Sequence, residues 1–253
     1  MTDADLQGLR ERGYHIERGL FDRDEVAELQ CEADRLLTLT DLISRDNARC
    51  RWQPHYESGE MLFECFDPYF DISPFFAEFS QHPKLLEMVY KIYGEPGHVC
   101  HNQLIYKPPG SKGYDLHQDY IGWPIFPKSF HTVAIALDPS DEETGCIEAY
   151  AGCHQDGLLT PADNAFHHLS ADRFVGKPCA RLELEPGDAA VFGCLLPHVS
   201  GPNRSRDRWR RTLFYCFNAA SDGGDMRLAY YEYYHQWKRD MAVEYGKPVL
   251  EFR

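Results

Sequence analysis

Two histidines and one aspartate have the residue types and spacing of a metal site. His117 and Asp119 are separated by one residue, and in an extended strand side chains two positions apart point to the same face. His198 follows much later, in a segment rich in glycine and proline. Two imidazole nitrogens and one carboxylate oxygen form the facial triad that binds non-haem Fe(II) and leaves open coordination positions. The pattern is therefore compatible with an iron site made by His117 and Asp119, with the distant His198 as the candidate third ligand.

A second copy of the pattern, His154 and Asp156, competes with the first. Its neighbours include Gly152 and Gly157, and glycine at these places favours a bend followed by a turn. A bend would aim the two side chains apart, whereas His117 lies at the edge of an apolar strand region. We therefore interpret His154 as a structural loop residue.

The segments that must position these residues are predicted to be β-strands from about residue 98 to 220. Short apolar or alternating runs recur between turn signals such as Pro108-Pro109-Gly110 and Pro186-Gly187-Asp188, a pattern typical of a sandwich or barrel. The predicted strands, mostly antiparallel, cover residues 99–106, 132–137, 146–150, 181–184, 189–192 and 211–217.

The preceding residues, about 1–97, are predicted to form a helical buttress. Asp22 and Glu25 are spaced as a capping box, and the apolar residues that follow recur at helical spacing. Ser73-Pro74 begins a second helical stretch, His82-Pro83 interrupts it, and Gly94 ends it. These helices are expected to pack on the β core.

Two further segments complete a single domain over residues 1–253. Residues 155–178 are polar and irregular, and an insertion of this length in a β core is often a functional loop or lid. Residues 226–245 are crowded with tyrosine and are predicted to be helical, with the tyrosines interpreted as surface packing.

Composition limits the partners of the protein. The 40 acidic and 26 basic residues give a net charge of −14, which opposes binding to nucleic acid or to an anionic membrane. The nine scattered cysteines contain no C-x-x-C pair and are interpreted as reduced thiols. No stretch approaches the roughly 18 to 20 apolar residues that cross a bilayer. We therefore expect a cytoplasmic protein that acts on a small molecule, and make no prediction of its oligomeric state.

The order of several short motifs resembles one known family. After His117-Gln118-Asp119 come the strand 132–138, Glu143-Thr144-Gly145, Pro186-Gly187-Asp188 and Pro197-His198, followed by Ser200-Gly201-Pro202-Asn203. This succession resembles the phytanoyl-CoA dioxygenase family of Fe(II)- and 2-oxoglutarate-dependent oxygenases, over about residues 10–235. The resemblance implies a mainly β fold with flanking helices, the double-stranded β-helix or jelly roll.

The resemblance also implies an activity. His117, Asp119 and His198 would hold Fe(II), with 2-oxoglutarate and O₂ as cosubstrates and succinate and CO₂ as products. Hydroxylation is favoured over halogenation because halogenating relatives lack the carboxylate that Asp119 supplies. Desaturation, epoxidation and cyclisation are also known outcomes in such folds. The sequence as a whole resembles those family members that hydroxylate small polar compounds, such as aminoalkylphosphonates or ectoine-like molecules.

An arginine in this family normally pairs with the distal carboxylate of 2-oxoglutarate, and the planar guanidinium suits a carboxylate. Alignment from the strand 212–217 selects Arg210, with Arg211 as the alternative. Period-two alternation puts Arg210, Thr212 and Phe214 on one face and Arg211 on the other, so only one arginine can point inward.

Other positions match the family pattern less specifically. Those that correspond to the cosubstrate cavity are Ser200, Thr132, Gln103 and Trp123. The residues named as candidate contacts of the substrate, each also compatible with core packing, are Tyr106, Tyr114 and Asn218.

Two other classes of protein are compatible with the same ligands. Zn(II) accepts two histidines and a carboxylate and keeps a water molecule at an open position, so a zinc hydrolase is one alternative, although it would not need Arg210. A non-catalytic jelly-roll binding protein is the other. Release of succinate from 2-oxoglutarate separates the oxygenase from both.

Overall fold

The computed structural model describes residues 1–120, 127–163 and 165–253. Two antiparallel β-sheets face each other, and helices cover the outer face of the larger sheet. The described helices are α1 (Asp3–Arg12), α2 (Arg23–Leu37), α3 (Pro74–Phe79), α4 (Pro83–Tyr93) and α5 (Arg227–Glu244). The described strands are β1 (Tyr14–Glu17), β2 (Cys50–Pro54), β3 (Met61–Phe66), β4 (Gly97–Lys107), β5 (Tyr114–His117), β6 (His131–Ala136), β7 (Ile147–Tyr150), β8 (Cys179–Leu182), β9 (Ala189–Gly193), β10 (His198–Ser200) and β11 (Arg210–Ala219).

Strand order explains how distant segments meet at one place. The larger sheet has the order β1-β9-β6-β11-β4-β3-β2, and the smaller sheet has the order β5-β10-β7-β8. In the larger sheet β11 lies between β6 and β4, and in the smaller sheet β10 lies between β5 and β7. The six strands predicted from the sequence are all present, with bounds that differ by at most two residues at either end.

Alternation along the strands divides the interior into two layers. On β6, Val133 and Ile135 pack towards the helices, whereas Ala134 and Ala136 pack between the two sheets. Successive residues of a strand point to opposite faces, so a strand buried on both sides contributes to both cores. The space between the sheets is left partly open at one end, where the candidate site lies.

The predicted helices of the amino-terminal part form as expected. Asp22 accepts from the backbone N–H of Glu25 and Glu25 accepts from the backbone N–H of Asp22, which completes the capping box of α2. Ser73 caps α3, and α4 ends at Gly94 with φ 72°, a left-handed conformation that glycine adopts readily. The apolar face of α2 packs on the larger sheet.

The prediction that residues 1–97 are helical throughout is wrong. Strand β1 pairs with β9, while β2 and β3 pair with each other and β3 extends the larger sheet through β4. These short strands are stabilised by pairing to an existing sheet edge, and this tertiary effect outweighs local propensity. Because β2 joins the sheet, its residue Arg51 lines the cavity of the candidate site.

Helix α5 forms where the sequence predicts it, but its tyrosines are not surface residues. Tyr230, Tyr231 and Tyr234 are buried against Cys100, Phe130, Cys194 and Cys216. The helix therefore closes one side of the space between the sheets. Within the described parts of the chain, no helix combines the length and the apolar character that crossing a membrane requires.

Candidate active site

His117, Asp119 and His198 converge at the open end of the two sheets. Antiparallel pairing of β5 with β10 places His117 directly opposite His198. The Nε2 atoms of His117 and His198 lie 3.5 and 3.6 Å from Oδ1 of Asp119. One donor atom from each of the three side chains lies within 4.8 Å of the other two. The predicted metal ligands are thus brought together as one cluster.

The remaining polar atoms of these side chains are held by neighbours. Nδ1 of His117 lies 2.7 Å from the carbonyl of Asp115, and Nδ1 of His198 lies 2.9 Å from the carbonyl of Leu196. With the proton of each ring on Nδ1, both Nε2 lone pairs point into the cluster. The hydroxyl of Thr132 donates to Oδ2 of Asp119 at 2.9 Å. Two neutral imidazoles and one carboxylate in this arrangement fit Fe(II).

The electrostatics of the cluster suit a bound cation. Burial alone would raise the pKa of Asp119, but the two neighbouring histidines and the Thr132 hydroxyl hold it well below its usual value. Burial, with His117 beside it, lowers the pKa of His198 to about 4. At neutral pH the carboxylate is charged and the His198 ring is neutral, the forms that bind a metal ion.

A cavity of about 410 Å³ adjoins the three residues and extends between the sheets. At its inner end Arg210, only 2% exposed, donates to the carbonyl of Gly145 at 2.5 Å and lies 3.5 Å from Oγ of Ser200. Nε of Arg210 has no hydrogen-bond partner among the described residues. A buried cation with an unused donor favours an anionic ligand at this end.

Lys107 is a second buried basic residue, which the sequence analysis missed. It is not among the residues that line the cavity, but it contacts Ser200, which is. Its ammonium group donates to Oγ of Ser200 at 2.6 Å and to the carbonyl of Gly145 at 2.9 Å, and also contacts the carbonyl of Gly201. Burial, together with the nearby Arg210, lowers the pKa of Lys107. Its position opposite Arg210 in the β4–β11 register could have been found only once the strand pairing was known.

Arg211 points away from the cavity, as alternation along β11 requires. Its guanidinium pairs with Asp138, with Nε 2.8 Å from the carboxylate, and with Asp34. Arg210 therefore faces the cavity, and Arg211 faces the helices on the other side of the sheet.

The weaker cosubstrate predictions fall into two groups. Ser200, Thr132 and Gln103 all line the cavity, and Oε1 of Gln103 accepts a hydrogen bond from Arg51. Trp123 lies outside the described residues.

Only one of the three candidate substrate contacts lines the cavity. Tyr114 does so, beneath the guanidinium of Arg51. Tyr106 belongs to the other face of β4, where its hydroxyl donates to the carbonyl of Ala33 on α2. Asn218 is buried near the end of β11, and its amide donates to the carbonyls of Asp222 and Gly224 in the turn that follows. The predictions for Tyr106 and Asn218 are therefore corrected, because strand alternation and turn formation direct both side chains elsewhere.

The polar insertion contributes a residue to the cavity, whereas the histidine of the second His-x-Asp motif lies elsewhere. Phe166, from the insertion, lines the cavity with its ring centroid 5.3 Å from that of His117. His154 lies on a short 3₁₀ turn, and its Nε2 is 3.1 Å from the carbonyl of Arg10 on α1. The insertion thus reaches the site, and His154 is a structural loop residue as predicted.

Several other cavity residues were given no role in the site by the sequence analysis. They are Arg51 on β2, Asp67 after β3, His101 on β4, and Tyr230, Tyr234, Trp237 and Lys238 on α5. No local motif marks any of them, because they meet only through the packing of β2, β4 and α5. The excess of tyrosine in residues 226–245 was the one visible signal, and its interpretation as surface packing was wrong.

Comparison with known sequences gives a consistent result. Residues 9–212 match the family described as phytanoyl-CoA dioxygenase (PhyH). A 2-aminoethylphosphonate dioxygenase from uncultured bacterium HF130_AEPn_1 is 28% identical over 198 residues, 76% of this chain and 74% of that protein. A methylphosphonate hydroxylase from Gimesia maris is 34% identical over 149 residues, 58% of this chain and 55% of the relative. An ectoine dioxygenase from Streptomyces avermitilis is 26% identical, across 88% of this chain and 80% of that protein.

Comparison with solved structures confirms the double-stranded β-helix. The epimerase SnoN, in complex with Fe³⁺, alpha ketoglutarate and nogalamycin RO, superposes with a TM-score of 0.72 at 19% identity, covering 86% of this chain and 83% of SnoN. EctD from S. alaskensis, with 2-oxoglutarate and 5-hydroxyectoine, gives a TM-score of 0.70 at 20% identity, covering 88% of this chain and 80% of EctD. Since the family match spans most of the sequence, the chain belongs to the phytanoyl-CoA dioxygenase family and is an Fe(II)- and 2-oxoglutarate-dependent dioxygenase.

Proposed function

We propose that the protein hydroxylates a small polar metabolite at the cavity between its two sheets. The observation that carries this proposal is one cavity with a metal-binding triad at its mouth and the buried Arg210 at its inner end, where Lys107 contacts Ser200 from outside the cavity lining. A zinc hydrolase has no use for the second feature. A dicarboxylate that reaches from the metal to the inner end uses both.

In this proposal His117, Asp119 and His198 hold Fe(II). With the metal, 2-oxoglutarate and O₂ bound, one oxygen atom of O₂ is inserted into a substrate C–H bond, while the other enters succinate as CO₂ is released. Thr132 orients Asp119 by donating to Oδ2, so that Oδ1 faces the two histidines. A fixed carboxylate keeps the three protein ligands on one side and the opposite side open.

The inner end of the cavity holds the distal carboxylate of 2-oxoglutarate. Arg210 supplies a planar group with an unused donor, and Lys107 supplies a second charge that shares Ser200 and Gly145 with it. A carboxylate placed there offsets the repulsion between the two cations, which both lie away from water. Binding energy at this end orients the other end of the cosubstrate at the metal.

The size of the cavity and the nature of the relatives support a small polar substrate. About 410 Å³ must accommodate 2-oxoglutarate and the substrate together. The relatives reported above act on 2-aminoethylphosphonate, methylphosphonate and ectoine, as their names state. Phe130, Phe166 and Phe192 line the same cavity and limit the access of water to the reacting atoms.

The test is a coupled assay on the protein reconstituted with Fe(II) and ascorbate. Succinate is measured with 2-oxoglutarate and each of 2-aminoethylphosphonate, methylphosphonate and ectoine, and products are analysed after reaction under isotope-labelled O₂. We expect at least one compound to stimulate succinate formation and to gain one labelled oxygen, with no reaction in the His117→Ala variant. Product formation that needs Zn(II) but neither O₂ nor 2-oxoglutarate would instead establish a hydrolase.

A further inference from the structure

A second charged cluster lies in the cavity away from Arg210 and Lys107. Arg51, Asp67, His101 and Lys238 all line this part, together with Tyr234. The proposed function gives these five side chains no contact with the metal or with 2-oxoglutarate. Arg51 contacts Gln103 and Asp67, whereas Lys107 and Arg210 share Ser200 and the carbonyl of Gly145. The two cationic regions are therefore distinct.

Asp67 is the centre of the cluster and is already fully engaged. It is 1% exposed, its carboxylate accepts from the hydroxyl of Tyr234 at 3.0 Å, and it lies 2.9 Å from Nε2 of His101. Nη1 of Arg51 lies 3.7 Å away. Burial would raise the pKa of Asp67, but His101 and Arg51 hold it well below its usual value. This carboxylate thus positions its neighbours and has little capacity left to bind a ligand cation.

Arg51, by contrast, is held in place with donors unused. Its Nη2 donates to Sγ of Cys65 at 3.1 Å and to Oε1 of Gln103. Nε has no hydrogen-bond partner among the described residues but is itself buried, so Nη1, which approaches Asp67 only at ion-pair distance, is the donor that remains for a ligand. About a third of the side chain, 32%, is exposed, and it lines the cavity. A planar guanidinium held in a fixed orientation, with Nη1 available, is suited to an oxyanion.

Lys238 adds a second positive charge on the opposite wall. Its ammonium donates to the carbonyl of Ala48 at 2.9 Å and lies over the ring of Tyr234, 4.8 Å from the centroid. Among the residues that line this end of the cavity, two basic side chains, Arg51 and Lys238, face one carboxylate, Asp67. The Glu64 carboxylate also lies close to Arg51 but is not part of the cavity lining. The face of Tyr234 that a ligand cation would use is already taken by Lys238.

We infer that this cluster is the substrate's anion-binding site, with Arg51 as the residue that contacts a carboxylate or phosphonate group of the substrate. Lys238 raises the local positive potential, and Asp67 is a positioning residue for Arg51, His101 and Tyr234. The inference rests on the proposed function, since it places the substrate in the same cavity as the metal. It assigns a substrate that carries an oxyanion and excludes one that is neutral or only cationic.

The experiment measures binding of small probes to the holoenzyme without O₂. Binding of Fe(II) and 2-oxoglutarate to the wild-type protein is measured first, and its absence would count against the proposed function itself. With both saturating, methylphosphonate and propanoate are then titrated by calorimetry, alongside the uncharged propanamide and dimethyl methylphosphonate. Saturating 2-oxoglutarate occupies the Arg210 end, so the probes report on the Arg51 end alone.

We expect at least one of the two oxyanions to bind and neither uncharged probe to bind. Tighter binding of methylphosphonate would indicate a phosphonate site, and tighter binding of propanoate would indicate a carboxylate site. Arg51→Gln should weaken oxyanion binding by about 10-fold to 100-fold, the loss typical of a charged hydrogen bond, and Arg51→Lys by less. Arg45→Gln is the matched control, because Arg45 is exposed and stacks on Trp52 outside the cavity.

Three results would overturn the inference. One is binding of neither oxyanion by a protein that binds Fe(II) and 2-oxoglutarate. Another is equal binding of the charged and uncharged probes. The third is an unchanged affinity in Arg51→Gln. Thermal unfolding of both Arg51 variants is recorded in parallel, and Arg51→Lys, which keeps the charge beside Asp67, provides the comparison if Arg51→Gln unfolds.

Discussion

Lys107 and Arg210 lie directly opposite each other on β4 and β11, and both side chains end at the same two acceptors, Ser200 and the carbonyl of Gly145. Two buried cations at one place destabilise each other unless an anion lies between them or close by. Glu64 is close enough to raise the pKa of Lys107, but Arg210 and burial both lower it. In the proposed function the distal carboxylate of 2-oxoglutarate is the second carboxylate that balances this charge.

Removing either cation should therefore weaken 2-oxoglutarate binding. We expect Arg210→Gln to raise the KM for 2-oxoglutarate by a factor corresponding to about 2 to 5 kcal/mol, since it removes one partner of a buried charge pair. Lys107→Gln should act in the same direction. Arg211→Gln, which loses its ion pairs to Asp138 and Asp34, should lower stability and leave the KM unchanged. Steady-state kinetics decide, and a larger effect on KM from Arg211→Gln would reverse the assignment.

The metal site offers an internal control for the triad. His117→Ala and Asp119→Ala should abolish iron binding and turnover while the far-ultraviolet circular dichroism stays that of the wild type, because these cavity residues belong to neither apolar core. His154→Ala removes the histidine of the second His-x-Asp motif, which contacts the carbonyl of Arg10 on α1, and the variant should keep its full iron content. Metal analysis after dialysis measures both. Loss of iron from His154→Ala would contradict the choice between the two motifs.

The part of the site that depends on the two-residue alternation of a strand could be predicted from the sequence. His117 and Asp119 share a face because they are two residues apart, and the same rule separates Arg210 from Arg211. The strands around them are bounded by Pro-Gly and Asp-Pro turns, so their existence could also be predicted. His198 needed the order of motifs, since nothing local distinguishes it from other histidines.

The end of the cavity that contains Arg51 and Lys238 could not be predicted from strand alternation. Arg51 belongs to a strand of five residues whose alignment depends on the neighbouring β3, and Lys238 belongs to a helix whose position depends on packing against Cys100 and Cys216. Both meet Asp67 only in the folded chain. Tyr106 illustrates the same limit, because one step along β4 moves a side chain from the cavity to the helical layer.

Thr132 should tune the metal ligand without being one. Its hydroxyl holds Oδ2 of Asp119 at 2.9 Å, so Thr132→Val removes a hydrogen bond at nearly constant volume. We expect iron affinity or turnover to fall about 10-fold to 100-fold, as is typical when an outer-shell partner of a ligand is lost. Thr132→Ser keeps the hydroxyl and should restore most of the loss. Equal defects in the two variants would point to packing in place of the hydrogen bond.

Asp67 should make stability depend on pH in a defined direction. Its pKa in the folded protein is below the unfolded value of about 3.9, so the stabilisation is present above that value and is lost as the pH falls towards the folded pKa. Asp67→Asn should cost about 1 to 3 kcal/mol at neutral pH, because it removes the buried charge that His101, the Tyr234 hydroxyl and Arg51 all contact. The gap in unfolding free energy between wild type and variant, from urea titrations, should narrow as the pH is lowered through about 4. Glu87→Gln, at an exposed carboxylate paired with Lys91, should show no such gap. A gap independent of pH would assign the loss to packing and not to the charge.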